Sequence, residues 1–480
     1  MKIVPINLLF IFLVSCSSVE SDKGLTPLLD NIPEKWKKDY ANDYGIEQIW
    51  PIKSDSSFYY LLDDFNSKNE EILLLDLKKE ISSAHHNISK SLLFPELSLN
   101  MSIDKSQQNS SSLPFDLSED APIEFDNLID SESLQSTRGS LSFNTKWEID
   151  LWGRIRDSKK SSFYSMKSNS YDIVYAKASL RGQFIKLYLS VVELQNQIEI
   201  SDRNLSSLAS IKDILEERVL NGISTSNEAY IASANYYLYL SNLASLKYNY
   251  ESLVRNVDLI LGRYLTNDEK INFEYPSENI EVQDTIFSNL LERRPDVLSA
   301  KAKILAANSK LKSDKKVFFP NIQILGSLGP LSKLEEASDL NNLINEDFLT
   351  WSMGLNILEP IFQGGKIKNN IKISEYELKA SELEYIKIAI NSIYEADNLL
   401  TKDITLRDAH IKILQSKTDI EKAVKYAQSS YDLGLVDLMY LLNAQQQLHN
   451  ISLQENKILS DRYKNKIDLI LSLGGRLDYE

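Results

Sequence analysis

The spacing of a few glycines constrains this chain more than anything else in it. Gly153 and Gly365 lie 212 residues apart, as do Gly222 and Gly434, and Gly262 and Gly474. The first pair sits in matching contexts, WGRIR at 152–156 and GGKIK at 364–368. Three pairs sharing one offset without a gap mark a tandem duplication, and such repeats set the architecture before local propensity does. Upstream, Phe94-Pro95 and Phe319-Pro320 match at an offset of 225, so 13 residues of slack (225 − 212) lie between those markers. The repeats are expected over 65–283 and 284–480.

The same glycines measure helices. Gly153 and Gly222 enclose 68 residues, as do Gly365 and Gly434, whereas the next intervals, to Gly262 and Gly474, enclose 39. As helix these would span roughly 100 Å and 58 Å. No proline lies between Pro122 and Pro276, or after Pro360, so nothing in those stretches forces a helix to stop. Glycine costs ~1 kcal/mol in a helix interior. Gly222 and Gly434, each inside a helix-periodic stretch, therefore predict chain reversals, the tips of two helical hairpins near 222 and 434. The shortfall of roughly 40 Å on each return matches a helical run of about 25–33 residues before each Phe-Pro. Two shorter helices stacked end to end against one long helix are expected in each half. Leu187, Val191, Leu194 and Ile198, then Ile390, Ile393, Leu400 and Ile404, step by 3, 4 or 7. That period favours left-handed supercoiling, although an ordinary bundle core gives the same stripe.

Between each Phe-Pro and the next long helix the apolar period changes to two. Four strands are expected, at about 96–104, 140–150, 321–329 and 349–358. Their lengths suit a tilted crossing of a bilayer. The link between the first two is polar, and its segment 115–132 holds seven acids and no base. A four-stranded sheet has two open edges whose backbone groups lipid cannot satisfy. Closed barrels begin at about eight strands. A spanning chain must therefore oligomerise, with 8, 12 or 16 strands from two, three or four copies. The expected fold class is mainly α with membrane β: a long α-helical coiled-coil barrel plus a transmembrane β-barrel, tandem duplicated.

The N-terminus reads as an address. Lys2 precedes an apolar run from Ile3 to Val14, too short for a spanning helix and laid out as a secretory signal. Leu13-Val14-Ser15-Cys16 resembles a bacterial lipobox. The resemblance implies a signal peptide over 1–15, and S-diacylglycerol and N-palmitoyl groups on Cys16 at the head of a lipidated segment, 16–64. Ser17 in that setting implies sorting to the outer membrane. Cys16 is the only cysteine, so no disulfide forms within the chain. A formal net charge of −15 disfavours nucleic acid as a partner. No phosphate loop, dinucleotide fingerprint, zinc-protease motif or nucleophile elbow occurs. His85, His86, His410 and His449 have no metal-ligand spacing. Neither an enzyme nor a cofactor is expected.

Several longer segments are similar to one family. WEIDLWGRIR, the run RRPDVLSAKAKILAANSKLKSDKKVFFPNI, PIFQGGKIK and YDLGLVDLMYLLNAQQQL resemble the TolC-type outer-membrane efflux family, in its lipoprotein branch of NodT-like channels from RND-type efflux systems. The resemblance covers essentially the whole mature chain. It implies a homotrimer with a 12-stranded barrel in outer-membrane lipid and a periplasmic helical barrel. It also implies passive export, with an inner-membrane pump and a periplasmic adaptor as partners. Gly222, Tyr431, Gly434 and the turn after them would belong to the periplasmic tip and aperture. Asn443 stands where relatives often carry an aspartate in a constriction ring, which leaves Asp437 either to supply that charge or simply to start a helix. Gly153, Arg154, Gly365 and Lys366 would mark the strand-to-helix junctions. Arg154, Arg156, Lys159, Lys160, Lys366 and Lys368 crowd helix starts that disfavour cations, so phospholipid headgroups or plain solvent are expected to face them. The rival reading is a lipid-anchored coiled-coil periplasmic adaptor or a structural lipoprotein. An adaptor would carry one hairpin flanked by β domains, not two hairpins with strands inside each repeat.

Overall fold

A computed structural model describes residues 56–109, 133–263, 275, 287–334 and 337–475. Cys16, the signal segment and the acidic link at 115–132 lie outside them. The helices are α1 (Ser56–Lys68), α2 (Glu70–Ser91), α3 (Arg154–Leu220), α4 (Ser226–Ile260), α5 (Phe287–Arg293), α6 (Pro295–Lys315), α7 (Lys366–Asp432) and α8 (Leu438–Ser472). The strands are β1 (Glu96–Asn109), β2 (Ser133–Glu148), β3 (Asn321–Lys333) and β4 (Leu349–Leu358). Short 3-10 turns fill Lys316–Phe318, Ala337–Ile344 and Glu346–Phe348. No described helix is long and apolar enough to cross a membrane.

The duplication recurs in the element bounds. α3 and α7 are both 67 residues long, α4 and α8 both 35, and each pair is offset by 212 (366 − 154 and 438 − 226). All four helices end alike. At α3 the Gly222 N–H donates to the Val219 carbonyl and the Ile223 N–H to the Arg218 carbonyl. At α7, Gly434 donates to Tyr431 and Leu435 to Ser430. Gly262 and Gly474 close α4 and α8 by the same paired bonds, to Leu259 and Leu471, with Arg263 and Gly475 reaching Asp258 and Ile470. This closure needs a left-handed residue, which glycine adopts without a Cβ penalty, and φ at the four glycines lies between 64° and 74°. Thr225 and Asp437 then cap the returning helices with their side chains.

The helices form a layer four wide. α3 packs on α4 along one side and on α8 along the other, and α8 packs on α7. Toward the sheet, α2 and α6 take the places of α4 and α8, α2 against α3 and α6 between α3 and α7. Each stack of short helices is joined by a side chain. Asn69 accepts from the Ile72 N–H at the start of α2 and donates to the Ile260 carbonyl at the end of α4, 2.8 Å away. Arg294, just before α6, donates to the Ser472 carbonyl at the end of α8, also 2.8 Å away. The helical runs before each Phe-Pro are thus shorter than the 25–33 residues expected: α2 has 22 and α6 has 21. Asn69 restarts the first helix as an N-cap, and Pro295 at the first turn of α6, with no N–H to continue α5, restarts the second.

The main core sits at these joints. Phe58, Leu61 and Phe65 of α1 fold over Phe184, Tyr188 and Leu189 of α3, with Ile467 and Ile470 of α8 in the same cluster. Phe65 stacks on Phe184 at 4.6 Å, and Phe58 meets Tyr188 edge-on at 4.9 Å. Each such side chain contributes roughly 1.5–3 kcal/mol on burial. The sheet is fully antiparallel in the order β1-β2-β3-β4, and β1 and β4 are its two edges.

Candidate functional site

The residues singled out from the sequence fall at opposite ends of the molecule. At one end are the two helix turns. Gly222 and Gly434 are exposed, and a Cβ added at either would meet nothing within 4 Å. A second core binds the four helix ends together there, including Leu208, Leu215, Ala232, Ala427, Leu438 and Leu441. Tyr431 joins the two turns: its hydroxyl accepts from the Arg218 guanidinium at 3.4 Å, and that guanidinium stands 5.4 Å from its ring centre. Arg218 escaped the sequence reading because its partner is 213 positions away (431 − 218). The repeat offset makes Ser430, the neighbour of Tyr431, its equivalent (218 + 212), which by itself signals no contact.

Asp437 is the N-cap of α8, its Oδ1 accepting from the Tyr440 N–H at 2.9 Å. It therefore starts the helix, and its carboxylate stands exposed at the turn. Asn443 is exposed on the second turn of α8 and is not brought against Tyr431 or Asp437 by any hydrogen bond. Leu220 and Ile223 at the first turn, and Leu433 and Leu435 at the second, are each at least 73% exposed. Four bare apolar side chains at the ends of two thin hairpins form a sticky surface.

At the other end, Gly153 and Gly365 precede α3 and α7 with φ of 79° and 85°. The first junction is tightly built. The Asp150 carboxylate accepts from the Ile155 and Arg156 N–H groups at 3.0 and 2.9 Å and from Arg156 Nε at 3.1 Å. Burial opposes its charge, but those backbone and guanidinium donors hold its pKa below the usual carboxylate value. Arg154 pairs with Glu148 at 2.7 Å. Trp152 stacks on Phe319 at 5.1 Å and donates to the Pro320 carbonyl at 2.8 Å, locking this junction to the Phe-Pro of the second repeat.

Two of the six junction cations also have an acidic partner in the same chain. Arg154 and Arg156 pair with Glu148 and Asp150, because the bend after β2 carries those carboxylates back over the helix start, and Arg156 stays largely exposed to solvent. Lys159, Lys160, Lys366 and Lys368 make no ion pair with a described residue. Lys366, the first residue of α7, donates only its backbone N–H, to the Gln363 carbonyl.

Above the junctions, the sheet presents one apolar face. Leu97, Leu99, Met101 and Ile103 of β1 and Trp351, Met353, Leu355 and Ile357 of β4 are each more than half exposed. Its other face is mostly hydroxyl and amide. Among the described residues no three His, Cys, Asp or Glu side chains gather as a metal site would require. One cavity of about 320 Å³ lies over α8 between α3 and α7, lined among others by Asn204, Gln445 and His449. Each of those three leaves a buried polar atom without a partner.

Relatives share this architecture. The solvent efflux pump outer membrane protein SrpC of Pseudomonas putida is 25% identical over 431 residues, 88% of this chain and 86% of its own length. The crystal structure of the Campylobacter jejuni CmeC outer membrane channel superposes with a TM-score of 0.78 at 22% identity, covering 89% of this chain and 88% of that one. The open-state Neisseria gonorrhoeae MtrE outer membrane channel gives 0.76 at 19% identity, covering 93% and 96%. The profile of the outer membrane efflux protein family matches residues 61–263 and 286–475, one segment for each hairpin-bearing half. The chain with its paired glycine turns and shared four-stranded sheet belongs to the outer membrane efflux protein family.

Proposed function

We propose that this protein is the outer-membrane conduit of a tripartite export system, a passive trimer working with an inner-membrane pump and a periplasmic adaptor. One observation carries the reading. The sheet has an apolar outer face but two unpaired edges, β1 and β4, and lipid satisfies no open edge. Three copies close it into twelve strands, β4 of one copy against β1 of the next. The same closure serves the helices. α7 runs along one edge of the layer, and α2 with α4 runs along the other. Both edges carry exposed apolar side chains, Tyr376, Leu383 and Tyr394 on α7, and Leu77, Ile81 and Tyr237 on α2 and α4. A head-to-tail ring would bury both at once.

In this reading residues 1–15 are a signal peptide and 16–64 a segment acylated at Cys16, followed by repeats over 65–283 and 284–480. Gly222 and Gly434 are the periplasmic tips, with Tyr431, Asp437 and Asn443 around the aperture. Leu220, Ile223, Leu433 and Leu435 face the adaptor. Gly153, Arg154, Gly365 and Lys366 set each helix below the membrane surface. Native mass spectrometry in detergent, with planar-bilayer recording on the same sample, tests the reading. A three-chain species that conducts is expected. A stable folded monomer without conductance would overturn it.

A further inference from the structure

The strand register assigns every residue of the sheet to a face. Glu96 stands opposite Lys146, Asp104 opposite Arg138, Arg138 opposite Lys333, and Asn144 opposite both Ser98 and Ser327. Ser327 stands opposite Ser352, and Gln323 opposite Asn356. Side chains alternate along a strand. The even-numbered residues of β1, β2 and β4 therefore share one face with the odd-numbered residues of β3, and the apolar side chains of β1 and β4 share the other.

The polar face has an ordered charge pattern. Its middle is a belt without ionisable groups: Ser98–Asn144–Ser327–Ser352, Asn100–Ser142, Gly329–Thr350 and Ser102–Ser140–Leu331. The Ser102 and Ser140 hydroxyls bond across strands at 3.0 Å, and Asn144 Nδ2 donates to Ser142 Oγ at 3.1 Å. Toward the helices the belt is bounded by Glu96 opposite Lys146, with Glu148 beyond. Toward the far end it is bounded by Asp104 opposite Arg138, with Lys333 beside it. Two acids thus stand directly opposite bases, Glu96 opposite Lys146 and Asp104 opposite Arg138; Lys333 neighbours Arg138, and Glu148 is paired with Arg154, in a chain whose totals are 68 acidic and 53 basic residues. The acidic excess of the protein is absent from this wall.

We propose that this face is a charge-balanced wall of hydroxyls and amides that passes cationic, anionic and neutral polar solutes alike. The membrane segment of the conduit then does not discriminate by charge. The inference rests on the closed-barrel reading, which turns this face inward. Its physics is simple. Opposite charges set directly across from one another cancel within about a Debye length, ~8–10 Å at physiological salt. The wall itself then adds little net field to concentrate solutes of one sign. Hydroxyl and amide groups donate and accept equally well, so the belt prefers neither kind of guest.

Ser142→Cys places a thiol on the belt of a chain whose only other cysteine is Cys16. The reconstituted protein is treated with a cationic and an anionic methanethiosulfonate of similar size, with the unsubstituted protein as background and Leu99→Cys as the lipid-face control. The cation-to-anion rate ratio is expected within about threefold of that for a free thiol in the same buffer. Adding Lys146→Glu, or the nearly isosteric Asn144→Asp if the former assembles poorly, should raise that ratio at least about threefold. A ratio skewed about tenfold or more without those changes, or indifferent to both of them, overturns the proposal while leaving the conduit intact. If Ser142→Cys reacts with neither reagent in folded, membrane-inserted protein, the conduit reading falls and takes the proposal with it.

Discussion

Replacing Arg294 with alanine should loosen the joint that holds the second hairpin to the rest of the molecule. The side chain is 3% exposed and makes four hydrogen bonds: two to Asp296 at 3.0 and 2.8 Å, one to Glu395 at 2.7 Å, and one to the Ser472 carbonyl at 2.8 Å. Burial alone would lower the guanidinium pKa, but Asp296 and then Glu395 raise it above its usual value, so the group stays charged. Removing one partner of a buried ion pair costs about 3–5 kcal/mol, because a charge is left without compensation. Here Asp296 is 20% exposed but Glu395 is 47% exposed and regains water. The loss should therefore sit near the lower bound, about 3 kcal/mol. Arg294→Lys keeps the charge but not the two-pronged fork, and about half that loss is expected. Denaturant unfolding of the detergent-solubilised protein, followed by far-ultraviolet circular dichroism, reads both values from the midpoint at unchanged slope. An Arg294→Ala midpoint corresponding to less than about 0.5 kcal/mol, the scale of an ordinary surface change, would refute the reasoning. So would a lysine as damaging as alanine.

Gly434→Val should cost a little more than the ~1–2 kcal/mol of a left-handed residue bearing a Cβ, all of it in an open turn with φ 72° and no neighbour within 4 Å. Normally assembled protein with reduced adaptor cross-linking and export is expected, and Gly222→Val should act alike. Gly474→Val adds contacts of 3.1 Å with the backbone of Arg293 and Arg294, so it should depress folding instead. Export unimpaired by Gly434→Val but abolished by Gly262→Val would show that the tip is misplaced. Burial lowers the pKa of His449, so below about pH 6.5 the unfolded chain takes up a proton more readily than the native state. Stability is then full above that pH and falls on acidification, by at most ~1.4 kcal/mol per unit. His410 contributes in the same sense. His449→Gln should flatten the unfolding midpoint against pH below about 6.5, and an unaltered profile would count against the assignment. Mass spectrometry of the native N-terminus should find Cys16 acylated, whereas an unmodified peptide spanning Ser15-Cys16 would exclude the anchor.

What the sequence determined by itself is what local chemistry controls. Helices ending at Gly222, Gly262, Gly434 and Gly474 were legible because the left-handed closure is a property of the backbone at those residues. Strand character was legible in Leu97, Leu99, Met101 and Ile103 because a period of two has no helical reading. Family membership followed from long motifs such as RRPDV and VFFP. Only the tertiary structure decided the side-by-side order of α4, α3, α8 and α7, since four amphipathic helices can be laid together in many orders. It also decided how the stacked short helices are joined: Asn69 and Arg294 reach ends 191 and 178 residues away, and linear spacing carries no trace of such pairings. Arg154 and Arg156 make the same point at short range. Their carboxylate partners lie six residues earlier, but only the bend after β2 swings those acids onto the helix start, and side-chain direction in space decides which charges meet.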